Sequence, residues 1–308
     1  MTRVSTVGNY SSILANLMAA QQRQTDAGTV VSTQKNGTDL KDYSRSAEIL
    51  TAMRSNESRV SGYLEQNQRV ADKLETQDFA LGQFSDSISA TREAIAQALA
   101  SGRGDTLMLE LEGNLRTGVQ SLNTRYGGKY LFAGGQIDTQ PVSVNAMSDL
   151  QSPAVVSSFF HNDEFVTQAK VDDATTVSTG LLADDIGTDM LTAYQSIADF
   201  NAGANGPFNG ELTDAQRTFL EGLLSTWDGL HSDAVDVAAR NGMVQARVEG
   251  VATDLTKRRD SLQGMMGDIT DANMAEAATR LSQAQLSVQA AAQVFSVLKE
   301  SSLLNLLN

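Results

Sequence analysis

The chain has 308 residues, 23 basic against 37 acidic, a net charge of −14 and no cysteine. That length gives room for one large domain or two to three smaller ones, and the acid excess argues against nucleic acid or an anionic membrane as partner. Without cysteine there is no disulfide framework, no thiolate chemistry and no Cys-bound zinc.

Tyr10, Ile13, Leu14, Leu17 and Met18 have helical spacing and predict a short first helix with a thin apolar stripe. A polar run over 21–26 and Gly28 follow, and residues 32–43, with the Asn36-Gly37 turn signal, read as a loop. Residues 13–20 are weakly apolar and interrupted by Asn16, and only Arg3 adds a charge before them. This is poor anatomy for a cleaved signal, so any export is expected to proceed without one. No apolar run approaches the roughly 18 residues of a spanning helix.

From about residue 44 the pattern becomes regular. Met53, Val60, Leu74, Leu81, Ile88 and Ile95 fall on one seven-residue lattice, with polar Asn67 on the missing node. Leu50, Leu64, Ala71 and Phe84 flank it, and no proline interrupts, which predicts one helix about 80 Å long at 1.5 Å per residue. Residues 101–105 turn the chain, and Leu107, Leu109, Leu111, Leu115, Val119 and Leu122 predict a shorter antiparallel helix. Gly127-Gly128 reads as a stop and turn.

The three prolines, Pro141, Pro153 and Pro207, all fall in the middle third, where the texture changes. Between 142 and 185 come β-branched and aromatic runs, with Asn162-Asp163-Glu164 read as a hairpin tip, so a small β-rich insertion is expected. Helix resumes from Thr188 to Phe200. After a Gly/Asn/Pro loop, Thr213-Asp214 should cap the last long element. Leu220, Trp227, Ala234, Val248, Leu255, Leu262 and Ile269 share a heptad lattice, with Asn241 on its missing node. Leu223, Leu230, Val237, Val244, Val251 and Met265 share a second one, with Arg258 as its lapse. A heptad period implies left-handed supercoiling of packed helices.

The last stretch repeats the device more thinly. Met274, Leu281, Val288 and Phe295 alternate with Ala277, Ala284, Ala291 and Leu298 as a and d positions, and a leucine-dense tail follows with Leu303, Leu304, Leu306 and Leu307. A single helix cannot bury such a stripe against itself. The terminal stripes, from Tyr10 and from Met274 onward, are therefore the candidate assembly interface.

The expected fold is mainly α, with long antiparallel heptad-patterned helices forming a coiled-coil or bundle rod, a small β-rich insertion and amphipathic terminal helices. The expected segments are 1–40, 41–140, 141–187, 188–267 and 268–308. No nucleophile, base and orienting group assemble, and no cofactor or metal is expected. His231 reads as packing, His161 and the Asp184, Asp185 and Asp189 group as solvated loop and helix start, and the sequons at Asn9, Asn36 and Asn56 as chance matches.

Several motifs resemble the flagellin superfamily of bacterial axial proteins. Val30-Val31-Ser32-Thr33-Gln34-Lys35 is similar to that family's (I/V)-S-(T/S)-G-K, with Gln34 where glycine is usual. Residues 123–135, containing Tyr130-Leu131-Phe132-Ala133-Gly134-Gly135, resemble its N…G.YLF(A/S)G motif, and Ser301-Ser302-Leu303-Leu304-Asn305-Leu306-Leu307 its terminal SLL..L. The resemblance implies a non-catalytic subunit exported unfolded through the flagellar type III channel, with both chain ends forming an inner coiled-coil layer. The short insertion and the Tyr130–Gly135 motif favour a junction subunit between hook and filament over a filament-building flagellin. The partners so implied are hook-associated protein 1, flagellin, further copies of itself in a ring or helical layer, and an export chaperone on the C-terminal stretch. A cytoplasmic coiled-coil scaffold is the alternative from another class.

Overall fold

Uninterrupted heptads become uninterrupted helices. A computed structural model of the protein describes the backbone of residues 3–304 and the side chains of 11–297. Among the described residues six α-helices run in chain order as α1 (Arg3–Thr33), α2 (Ala47–Ser101), α3 (Leu107–Leu122), α4 (Ala183–Ala202), α5 (Asp214–Thr270) and α6 (Met274–Leu304). The strands are short: β1 (Arg125–Tyr126) with β2 (Lys129–Tyr130), and β3 (Gln168–Lys170) with β4 (Thr176–Ser178), each an antiparallel pair. The chain is thus mainly helical, with small β elements in its middle. It packs as two units, residues 1–60 with 257–308, and residues 61–256, whose limits fall inside both long helices and cut across the five expected segments.

In the unit of residues 61–256, α2 and α5 are antiparallel. Ser85 Oγ meets His231 Nδ1 at 3.1 Å, and Arg92 pairs with Asp228. The first lattice of α5 is the buried one: Leu220 and Trp227 are fully enclosed, with Ala234, Val248 and Leu255 close behind. The second is buried at Leu223 and Leu230 and reaches the rim at Val237, Val244 and Val251, which are half-buried. The α2 nodes Leu74, Leu81, Ile88 and Ile95 are buried, and α3 and α4 close the core with Leu111, Leu115, Met190 and Tyr194. Tyr194 stands edge-on to Trp227 with centroids 4.9 Å apart, and its hydroxyl shares a 2.5 Å hydrogen bond with Thr91 Oγ1.

The two polar lattice nodes are buried and each holds a neighbouring backbone. Asn241 Nδ2 donates to the Leu74 carbonyl at 3.0 Å, tying α5 to α2. Asn67 Nδ2 donates to the Val171 carbonyl at 3.0 Å, and Gln66 and Gln77 donate to the carbonyls of Lys170 and Thr179. These amides fasten the β3–β4 hairpin to α2, while Val171 and Val177 pack onto Leu74 and Val248. An apolar residue at 67 would take from the Val171 carbonyl the amide that holds it, and one at 241 would remove the tie to the Leu74 carbonyl, which lies within α2.

Two local expectations are corrected. The first helix is not short: α1 runs through Gly28 to Thr33, because no proline or turn residue stops it before Gln34. The small β insertion is present as the β3–β4 hairpin, set among 3-10 turns at Met147–Leu150 and Val156–Phe159. Asn162-Asp163-Glu164 is no hairpin tip. Asp163 instead accepts hydrogen bonds from the amides of Gly135, at 2.7 Å, and Phe165, at 3.0 Å, which hold its carboxyl below the usual range. The hairpin turn lies between Val171 and Thr175. Gly127 and Gly128, at φ 58° and 83°, make the two-residue turn joining β1 to β2, where a left-handed backbone favours glycine. Thr213 and Gln216 do form the reciprocal cap of α5, the Gln216 side chain taking the Thr213 amide at 3.0 Å.

Trp227 anchors this core, and its Nε1 is buried without a partner among the described residues. Trp227→Ala should cost about 3–5 kcal/mol in urea unfolding followed by circular dichroism. Trp227→Phe should cost clearly less, because it also removes an unsatisfied N–H. Equal losses would mean that the indole nitrogen is satisfied in solution.

Candidate assembly interface

The unit of residues 1–60 and 257–308 is built on a joint between the two chain ends. Gln34 follows the last residue of α1 at φ 58°, the left-handed conformation that ends helices and that glycine adopts most cheaply. The chain then runs beside the α5–α6 connection as a short antiparallel ladder. Asn36 N donates to the Thr270 carbonyl at 2.8 Å, and Ala272 N to the Gln34 carbonyl at 2.9 Å. Around it, Lys35 Nζ pairs with Asp271 and reaches Thr270 Oγ1 at 3.2 Å, and Asn36 Nδ2 donates to the Asp271 carbonyl at 2.9 Å. The Tyr43 hydroxyl donates to the Gly37 carbonyl at 2.9 Å and lies 3.3 Å from that of Thr270.

Asp42, in the 3-10 turn Leu40–Tyr43, accepts the amides of Thr38 and Asp39 at 3.0 Å. Asn273 caps α6 through the Ala275 amide at 3.1 Å. A cleft of about 490 Å³ beside the joint is lined by Lys35, Tyr43, Leu50, Arg54, Gln263 and Thr270, among others.

Because α6 starts where α1 ends, the two helices run antiparallel, and their heptads mesh. On α1 the inward residues are Ile13, Leu17, Ala20, Gln24, Ala27 and Val31; on α6 they are Ala277, Leu281, Ala284, Val288, Ala291 and Phe295. Ala20, Ala277 and Ala284 are buried, and the larger side chains only half-buried. Alanines bury little area, so the seam draws the helices together weakly. A shallow groove of about 390 Å³ remains over Ala27, Ala277 and Ala284, walled by Arg23 and Arg280.

Of the expected interface, Ile13, Leu17, Leu281, Val288 and Phe295 therefore lie in the seam between the two ends. Leu14 and Met274 are exposed. The side chains of Tyr10, Leu298, Leu303 and Leu304, and the residues Leu306 and Leu307, lie outside the described residues. Sequence reading missed a second stripe, on the outer face of α6: Leu286, Ala290, Val294 and Val297, with Leu286 62 % and Val297 64 % exposed. Met18, 63 % exposed, and Leu14 lie at the same distal end of α1. The signal was present in the spacing of four, four and three, but the stronger a/d heptad hid it. Apolar area of this kind on two exposed helices is what an association surface presents.

Among the described residues no three His, Asp or Glu side chains are grouped to hold a metal, and no helix is long and apolar enough to cross a membrane. His231 is engaged by Ser85, and Asp184 accepts Asn162 Nδ2 at 2.7 Å, so both sit in structural contacts.

Residues 227–307 match the family model of the bacterial flagellin C-terminal helical region. No curated protein matches the chain in sequence. Among solved structures, the chain is similar to a Vibrio parahaemolyticus protein assigned as a flagellar hook-associated protein, at 15 % identity and a TM-score of 0.60, over 75 % of this chain and 100 % of that one. It is also similar to Bacillus cereus FlgL, at 13 % identity and a TM-score of 0.54, over 71 % of this chain and 99 % of that one. At these identities the likeness is one of fold.

Two outcomes follow at the joint. Gln34→Gly should stabilise the end of α1, since an L-residue in this conformation costs about 1–2 kcal/mol, partly offset by the greater entropy glycine has when unfolded. Slower hydrogen exchange at the Ala272 amide would register it. Lys35 first, and then Thr270, hold the Asp271 carboxyl below its ordinary pKa. A depressed folded-state pKa stabilises above about pH 4 and is lost as pH falls through the folded value. Exchange at the Asn36 and Ala272 amides should therefore quicken in acid beyond its intrinsic rate. Asp271→Asn should bring that quickening to neutral pH and abolish the acid step; an unchanged profile would show the pair to be idle.

Proposed function

We propose that this chain, whose residues 227–307 are of the flagellin C-terminal helical type, is a structural axial subunit of the bacterial flagellum of the hook-associated protein 3 kind, joining hook to filament. One observation carries the reading: the two chain ends pair as antiparallel helices, yet leave an outer apolar stripe on Leu286, Val294 and Val297 that a single copy does not cover. A heterologous surface of this sort is buried only when copies or neighbours stack on it. The likeness in fold to a protein named as hook-associated supports the junction position, as does the short middle segment. The subunit would rest on hook-associated protein 1, carry flagellin above it and contact copies of itself within its layer. It would leave the cell through the flagellar export channel, with a chaperone covering the C-terminal helix beforehand. Its work is mechanical, not catalytic. A filament-forming flagellin is the second reading, favoured by the description of the matched family model.

Deletion of the protein should leave the hook in place and release unassembled flagellin into the medium, and an antibody should mark one point at the hook end of wild-type flagella. Purified protein, seeded or salted out, should grow no filaments of its own. Long filaments from this chain alone, or antibody along the whole filament, would move it to the flagellins. Leu286→Asp with Val294→Asp should keep the thermal transition of the core and abolish incorporation, because each charge enters a surface that must be dry, at several kcal/mol. Normal incorporation of that variant would remove the outer stripe from the interface.

A further inference from the structure

Asn36 and Gly37 stand at the centre of the joint, and an Asn-Gly pair has a chemistry beyond its value as a turn. Glycine has no side chain to shield its amide nitrogen, so that nitrogen can reach the carbonyl carbon of the Asn side chain before it. Four such pairs occur in the chain, at 36–37, 205–206, 209–210 and 241–242. They differ in what holds them. Asn205 and Asn209 lie exposed in a loop, and their side chains have no partner among the described residues. Asn241 is buried within α5, on the Leu74 carbonyl. Asn36 is exposed, yet the joint fastens it.

The Asn36 amide donates to the Thr270 carbonyl at 2.8 Å, and its Nδ2 donates to the Asp271 carbonyl at 2.9 Å. The next amide, Gly37 N, donates to the Tyr43 hydroxyl at 2.9 Å, and that hydroxyl donates back to the Gly37 carbonyl. Glycine at 37 is required by close approach. A Cβ there would run into the Cβ of Asp42, whose carboxylate takes the amides of Thr38 and Asp39. Local packing thus demands the residue that makes Asn36 reactive, and the joint supplies the contacts that restrain it. The restraints from residues 270 and 271 vanish when the chain ends part.

We propose that Asn36 is a deamidation site gated by the joint: inert while the two chain ends are paired, reactive while they are apart, and once converted an obstacle to their pairing again. In the open state the Gly37 nitrogen gives its proton to solvent base and attacks Asn36 Cγ. The new C–N bond closes a five-membered succinimide, the Cγ–Nδ2 bond breaks, and the side-chain nitrogen takes a proton from solvent and leaves as ammonia. Water then opens the ring at either carbonyl, giving Asp or isoaspartate, with no oxidant or reductant involved. In the closed state Nδ2 must first leave the Asp271 carbonyl, and Gly37 N the Tyr43 hydroxyl, before the ring can form. Both products lack Nδ2, so the Asp271 carbonyl loses that donor and a new negative charge sits close by. Isoaspartate also lengthens the backbone by a methylene inside the ladder, which puts the bonds on either side of residue 36 out of register. The gate depends on the joint alone and operates whether or not the chain is an axial subunit.

Full-length protein held in mildly alkaline buffer, with and without urea, tests this. The peptide containing residue 36 is followed by mass, and isoaspartate is scored with an isoaspartyl methyltransferase. Native conversion is the open-state rate multiplied by the fraction of time the joint is open, so Asn36 should convert in urea and at least about tenfold more slowly in the native chain. Tyr43→Phe frees the Gly37 amide, and Asp271→Ala removes the partner of Lys35. Each should speed native conversion several-fold and leave the rate in urea, and Asn241, unchanged. Full-length Asn36→Asp should quicken hydrogen exchange at the Ala272 amide while the thermal transition of the core is kept; Asn205→Asp, in the exposed loop, should not. Equal conversion with and without urea, no conversion in urea, wild-type native rates in both variants, or wild-type exchange at Ala272 in Asn36→Asp would each overturn the proposal. If Tyr43→Phe loses its thermal transition, Asp271→Ala decides.

Discussion

Antiparallel pairing of the two chain ends is the constraint on which the proposed assembly surface depends. It is set at the joint, where backbone hydrogen bonds between residues 34–36 and 270–272 fix which residue of α1 faces which residue of α6. From that starting register the heptads mesh, and Ile13 and Leu17 come to lie on the distal turns that also carry Phe295. A slip of one residue would swing the seam by about 100°, the turn per residue of a helix with 3.6 residues per turn, and would put Gln and Ser where Leu281 and Val288 now stand. The Lys35–Asp271 pair is exposed and adds little energy by itself. Its contribution is position: it sits on the ladder it reinforces.

The same logic of polar groups setting register recurs in the unit of residues 61–256. A heptad made wholly of aliphatics can slide by seven residues at small cost. Asn67 and Asn241 oppose this, since each is buried and donates to one particular backbone carbonyl. Buried amides of this kind sacrifice some stability for a unique alignment. Asn67 and Gln77 keep their side-chain oxygens unpartnered among the described residues, which shows where that sacrifice falls.

Legibility from sequence followed the strength of the period. The long helices were readable almost to their ends because no proline falls in them and two lattices agree. Asn67 and Asn241 were visible as gaps in a lattice, but what they hold was not, because their partners are 104 and 167 residues away in the chain. The middle segment hid the position of its hairpin turn for a physical reason. Its β-branched and aromatic runs satisfy a core through irregular turns, held by side chains such as Asp163, and propensity does not encode such contacts. At Gln34 the resemblance gave the better signal: a position where glycine is usual proved to be the one non-glycine residue at positive φ that the structure records. The outer stripe of α6 was missed because one helix carried two apolar faces and only the heptad one was sought.

Those two faces have different consequences for assembly. The inner seam is rich in alanine and brings the chain ends close without a large core, so the pair gains little by closing on itself. The outer stripe gains only when something else covers it. The seam does hold Leu281, Val288 and Phe295, but these are only half-buried, while Leu286, Val294 and Val297 on the outer face are exposed. Apolar area is therefore left on both faces after the two ends have paired. In the proposed axial role that area is what neighbouring subunits would cover.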